Sequence, residues 1–208
     1  MKKLLGILAI SALAASAFAQ GTISIQNTAT ELIQQWTAEG NSTLMSVPAG
    51  QGHVQFFAAP AGSSLTPLGS LGALGFSTSY TTLAGFLAAN SSWNAYAINT
   101  TVAAGRIVGN TVTVTPLTPG ASIDYITIGW TGAFTTLDQA IAGGAMIGES
   151  PMLVSTTGNP TVTPAVTPSL MNATYTGIVL APQVVPEPTS FALAGLGLAA
   201  LVAFRRRS

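Results

Sequence analysis

Hydrophobic alternation is clearest in residues 121–131, ASIDYITIGWT. Ile126, Ile128 and Trp130 fall on one face, and Tyr125 and Thr127 on the other. This is the period of two that marks a β-strand. Residues 53–58, HVQFFA, repeat it with Val54 and Phe56 in phase, and residues 21–26, GTISIQ, with Ile23 and Ile25. Shorter strands are expected at 43–47, which Pro48 ends, and at 173–180 near the end of the domain. Residues 106–115 carry Gly109-Asn110 between β-branched runs. They read either as one kinked strand or as a tight hairpin. Residues 30–36, TELIQQW, fit helical spacing through Leu32, Ile33 and Trp36, while their threonine-rich flanks permit a strand.

Only residues 136–142, TLDQAIA, read clearly as a helix. Thr135 or Thr136 caps it, Asp138 complements its positive first turn, and Gly143-Gly144 stops it. Residues 65–99 are punctuated by Gly69, Gly72, Gly75 and Gly85, which predicts short strands and long loops. Residues 155–169 are rich in proline and threonine and read as a loop, and 182–188 as a linker. The pattern predicts a mainly β fold over residues 20–182: an antiparallel β-sandwich or jelly-roll-like domain with one short helix.

The two ends follow a different logic. Lys2 and Lys3 precede an apolar run over 4–13, and Ala17-Phe18-Ala19 has a small residue on either side of Phe18. This is the layout of a secretory signal peptide, residues 1–19, with cleavage expected between Ala19 and Gln20. Signal peptidase and Sec-type export machinery are the partners it implies. At the other end, residues 183–208 hold Pro186-Glu187-Pro188, an uncharged run over 191–204, and Arg205-Arg206-Arg207. Proline's fixed φ and missing N–H keep the Pro-Glu-Pro stretch out of helices and central strands. Residues 189–204 predict a helix of about 24 Å, short beside the roughly 20 residues of an ordinary membrane span. Snorkelling arginines make such a length workable. Arg205, Arg206 and Arg207 hold that end on the cytoplasmic side, so the preceding domain lies outside.

Val185 to Ser208, read as Val-Pro-Glu-Pro-Thr-Ser, a Gly/Ala-rich apolar run and a terminal arginine cluster, resembles the PEP-CTERM sorting signal of Gram-negative bacteria. The resemblance implies that Pro186, Glu187 and Pro188 are recognised by an exosortase-type membrane protease that removes or exchanges the tail. It implies a chain exported across the inner membrane and held transiently by its C-terminal helix. The final location would be the cell surface, outer envelope or extracellular matrix. A looser likeness joins Trp130, the helix at 137–142 and Gly148-Glu149-Ser150-Pro151 to a pattern seen in uncharacterised exported PEP-CTERM proteins of polysaccharide-rich bacteria.

Charge sharpens this picture. The chain has six basic residues, and Lys2, Lys3, Arg205, Arg206 and Arg207 all sit in the two signals. Arg106 alone faces Glu31, Glu39, Asp124, Asp138 and Glu149 in the domain between them. One cation does not neutralise a row of phosphates, so a nucleic-acid partner is not expected. There is no cysteine, so the exported domain has neither disulfide nor thiol nucleophile. A surface of hydroxyls and small residues suits contact with exopolysaccharide. The Asn-x-Ser/Thr triplets at Asn41, Asn90, Asn99 and Asn172 read as accidents of a Ser/Thr-rich chain.

Catalytic chemistry finds little support in the residue pattern. His53 is the sole histidine, and the five acids show no metal-ligand or calcium-loop spacing. No cofactor is implied. No serine occupies a Gly-x-Ser-x-Gly elbow. A paired-carboxylate enzyme on polysaccharide would draw on Asp124 and Glu149, although an Asp124–Arg106 ion pair or an exposed Asp124 is the plainer reading. Trp130 is expected in the core. Trp93, with Tyr96, is the candidate platform for stacking on a sugar ring. The reading that follows is a non-enzymatic structural or adhesive protein, with a carbohydrate-binding module as the alternative.

Overall fold

The computed structural model describes residues 20–37, 43–170 and 175–184. The signal peptide with Ala17 and Ala19, the Pro-Glu-Pro triplet, the 189–204 helix and Arg205–Arg207 lie outside the described residues. The elements in chain order are β1 (Gly21–Ile25), β2 (Ile33–Trp36), β3 (Leu44–Ser46), β4 (Gly52–Pro60), β5 (Gly69–Gly72) and β6 (Gly75–Thr78). Next come α1 (Leu83–Ala89), β7 (Asn94–Thr100), β8 (Asn110–Val114), β9 (Ser122–Thr131) and α2 (Leu137–Ala142). The last four are β10 (Ile147–Glu149), β11 (Leu153–Thr156), β12 (Ser169–Leu170) and β13 (Ile178–Leu180).

The molecule is built on the β4–β9 pair, antiparallel and in register from Gly52 opposite Thr131 to Pro60 opposite Ile123. β7 extends it beside β4, and β10 and β11 both pair with β9. Alternation sorts these strands onto two faces, as the sequence predicts. Val54, Phe56, Ala58, Ile123 and Tyr125 point into one apolar cluster. Phe57, Ala59, Ile126, Ile128 and Trp130 point into another. Ile23, Ile25 and Val114 from the β12–β1–β8 sheet cover the first face, with Ile33, Ile178 and Leu180 from the β13–β2–β3 sheet. Phe86 of α1, Leu137 and Ala140 of α2, and Leu68 and Phe76 of the β5–β6 hairpin segment cover the second.

Three expectations are corrected. The protein is mainly β with antiparallel sheets, but the central sheet is buried on both faces rather than sharing one core with one facing sheet. Two pairings are parallel, β1 with β12 and β2 with β13. There are two helices among the described residues, not one. Leu83, Phe86 and Leu87 form the inward stripe of α1. Thr82 caps it by accepting from the Gly85 N–H, and Asn90 closes it with its side chain on Phe86 O. Gly85, a weak helix former, hides that stripe in the sequence. α2 has the expected Thr136 cap, Asp138 in the first turn and Gly143 at its end.

Smaller adjustments follow the same logic. Within residues 30–36, Ile33–Trp36 form the strand β2. In residues 106–115 only β8 is a strand, because Ala103 and Arg106 close a turn of their own. β11 replaces the start of the expected 155–169 loop by pairing Leu153–Thr156 with β9.

Candidate functional site

The chain leaves the fold through residues 181–184, and they are not the free linker that Pro182 suggested. Ala181 and Ile147 exchange N–H···O bonds of 2.9 and 3.0 Å, extending β13 along β10. Phe76 donates to Pro182 O at 2.8 Å, and Val184 donates back to Phe76 O at 2.9 Å. Gln183 thereby forms a parallel bridge with Phe76 of β6. Pro182 is tolerated because the ladder uses its carbonyl and asks for no N–H. Gly75 adopts φ 141° and lets the Pro182 carbonyl approach where any Cβ would collide. The Gln183 amide then reaches the end of α2. Its Nε2 lies 3.1, 3.2 and 3.1 Å from the carbonyls of Ala140, Ile141 and Ala145. Helix-end carbonyls lack intrahelical partners, and Gln183 supplies a donor from the exit strand. A Gln between Pro182 and Val184, where a plain spacer needs none, is the sequence signal for this role.

A cleft of about 610 Å³ opens beside this exit, walled by Leu65, Pro67, Leu71, Phe76, Pro151 and Ile178. Glu149 of β10 lies in it. Its Oε2 accepts from Gly69 N at 3.4 Å, while Oε1 is shut off from solvent and has no hydrogen-bond partner among the described residues. Burial pushes this carboxyl up to about 7, and the backbone N–H groups of Gly69 and Leu68 only partly oppose the rise. A group poised there is chemically able to hold or release a proton near neutrality.

Asp124 does not join it. Its Oδ2 accepts from Gly62 N at 2.7 Å and Ser63 N at 3.1 Å, pinning the turn after β4. Glu149 pairs with Ile128, four residues from Asp124 along β9. That offset is about 13 Å of backbone along a strand, and Asp124 is not among the residues that line the cleft. The expected Asp124–Arg106 pair is likewise replaced: two turn amides satisfy Asp124, while Arg106 reaches Asn27 O at 3.4 Å.

The proposed stacking platform is also corrected. Trp93 is 3% exposed, packs in the cluster with Phe86, and donates its indole N–H to Ser64 O at 2.8 Å. Tyr96 packs against the opposite cluster and donates to Thr115 O at 3.0 Å. Burial pushes its hydroxyl up to about 12. The central sheet separates the two rings. Trp130 is fully buried, as expected. His53 stacks on it at 5.9 Å, with Nε2 at 3.0 Å from Gly132 O and Nδ1 at 3.3 Å from Thr100 Oγ1. No group of three potential metal ligands occurs among the described residues. Asn27 was not singled out from sequence. It accepts from Ile107 N and donates to Gly105 O and Glu31 O, tying two loops together.

The PEP-CTERM protein-sorting motif matches residues 184–207. The chain therefore carries a PEP-CTERM sorting signal, and the match begins at Val184, the residue whose N–H closes the exit strand onto Phe76. The motif implies export, a membrane-anchored C-terminal signal and processing by an exosortase-type membrane protease. No curated protein and no solved structure matches the chain. Among the described residues no helix is long and apolar enough to cross a membrane.

Proposed function

We propose that this protein is a non-enzymatic component of the envelope or extracellular matrix, structural or adhesive within exopolysaccharide, released to that place by exosortase-type cleavage. The observation that carries this reading is the sorting motif starting where the last stitched strand ends. A folded cargo and a removable address meet at one residue. The signal-peptide layout at 1–19 supports entry into the export route, and the domain's single cation disfavours polyanionic partners.

Terminal peptides and intact mass of the native protein, from membrane and extracellular fractions, test the proposal. The extracellular form is expected to start at Gln20 and to end close to Pro186, with any added mass reporting glycan or anchor. A protein that retains Ser208 in every fraction overturns it. A carbohydrate-binding module is the second reading, and it rests on the cleft beside Glu149 now that Trp93 is in the core. Binding on a glycan array that disappears in Glu149→Gln would favour it.

A further inference from the structure

We infer that residues 181–184 act as a clamp on the sorting signal, so that the tail becomes a substrate when this strand is released from β6 and α2. The inference rests on the exosortase reading and concerns the regulation of that same site. A protease that reads an extended peptide takes up main-chain N–H and C=O groups around its target. In the folded protein two such groups upstream of Pro186 are occupied: Phe76 donates to Pro182 O and accepts from Val184 N. Gln183 is held by its side chain at three carbonyls around the end of α2.

Reach makes the clamp consequential. Residues 185–190 separate Val184 from the apolar run that begins at Phe191. Six residues, however arranged, span at most about 20 Å. The headgroup region beside the hydrocarbon takes up roughly 5–8 Å of that. What is left is roughly 12–15 Å, little more than one helix diameter. With the clamp closed, the tether between Val184 and the apolar run is therefore limited to these six residues. Releasing the exit strand adds backbone to that tether.

The experiment is pulse-chase of the full chain in its producing cell, following loss of the tail. Gln183→Ala removes the side-chain tie and leaves the motif intact. Where opening is fast relative to cleavage, rate follows the open population, and the expected gain is roughly fivefold to tenfold. A Gly/Ser insertion of about eight residues after Val184 leaves the clamp closed but lengthens the tether, and it is expected to speed processing as well. Hydrogen exchange of the unprocessed chain should show faster exchange at Phe76 and Val184 in Gln183→Ala, with β4 and β9 unchanged. Wild-type processing with Gln183→Ala cut at the same rate overturns the clamp, as does acceleration by the insertion alone. Acceleration accompanied by faster exchange in β4 and β9 reports general loosening and overturns it too. A wild-type chain that is never cut overturns the sorting reading, and the clamp with it.

Discussion

Glu149 is ionised at neutral pH in an unfolded chain, whereas burial holds its carboxyl near 7 in the fold. The sign of the consequence follows from linkage. Below 4.5 the group is protonated in both states, and its burial costs nothing in charge. As pH rises from 4.5 through about 7, the unfolded chain loses its proton first, so stability falls. The full loss is roughly 3 kcal/mol. Urea unfolding at pH 4 and pH 8 should therefore show Glu149→Gln matching wild type at the acidic value and exceeding it at the alkaline one. Equal pH slopes for the two proteins would refute this account. The same residue marks a limit of sequence reading. Its neighbours Gly148, Ser150 and Pro151 give no hint that Gly69, eighty positions away, will bond to it. Trp93 shows the limit from the other side. Its polar neighbours in NSSWNAY suggested exposure, but a loop carbonyl at Ser64 receives the indole N–H and lets the ring enter the core.

At the scale of elements, period two was a reliable guide for the two strands in the middle of the central sheet. β4 and β9 appear where Val54, Phe56, Ile126 and Ile128 place them. The β-branched density of 121–131 leaves little room for another structure. Short edge pieces such as β11 and β12 were not legible, because a four- or two-residue strand is defined by its partner and not by its own pattern. α2 was legible through its ends. Thr136→Ala should cost about 1 kcal/mol, since the cap accepts from Gln139 N. Thr136→Asp should restore most of it. Thermal unfolding of the pair checks this, and an alanine variant with wild-type stability would show that α2 is held by packing alone. α1 was missed for the complementary reason: its cap is Thr82 among many threonines, and Gly85 interrupts its interior.

For the whole molecule, the two-sided burial of the central sheet decides how mutations distribute. Phe56 and Phe57 are adjacent in sequence, and each is fully buried in a different cluster. A sheet with one wet face would make one of the two truncations mild. Here Phe56→Ala and Phe57→Ala should each cost about 3–5 kcal/mol, measured by chemical unfolding. A cost near zero at either position would contradict the architecture. The sequence carried a trace of this. The stretch from Val54 to Ala59 is almost continuously apolar, the signature of a strand covered twice. What it did not carry is the covering. Which segments lie on which face depends on pairings between distant stretches, and alternation within one stretch is silent about them.

The two parallel pairings have a consequence in time. β1 finds its β12 neighbour at Ser169 and Leu170, and β2 finds β13 at Ile178 to Leu180. An exported chain emerges from its amino end, so the first strands to reach the far side of the membrane wait for the last before they are fully paired. Contacts so distant along the chain are slow to form. During transit the early strands are without these neighbours, and the last of them, β13, ends only a few residues before the sorting motif begins at Val184. Completion of the domain and emergence of its sorting signal are thus nearly the same event.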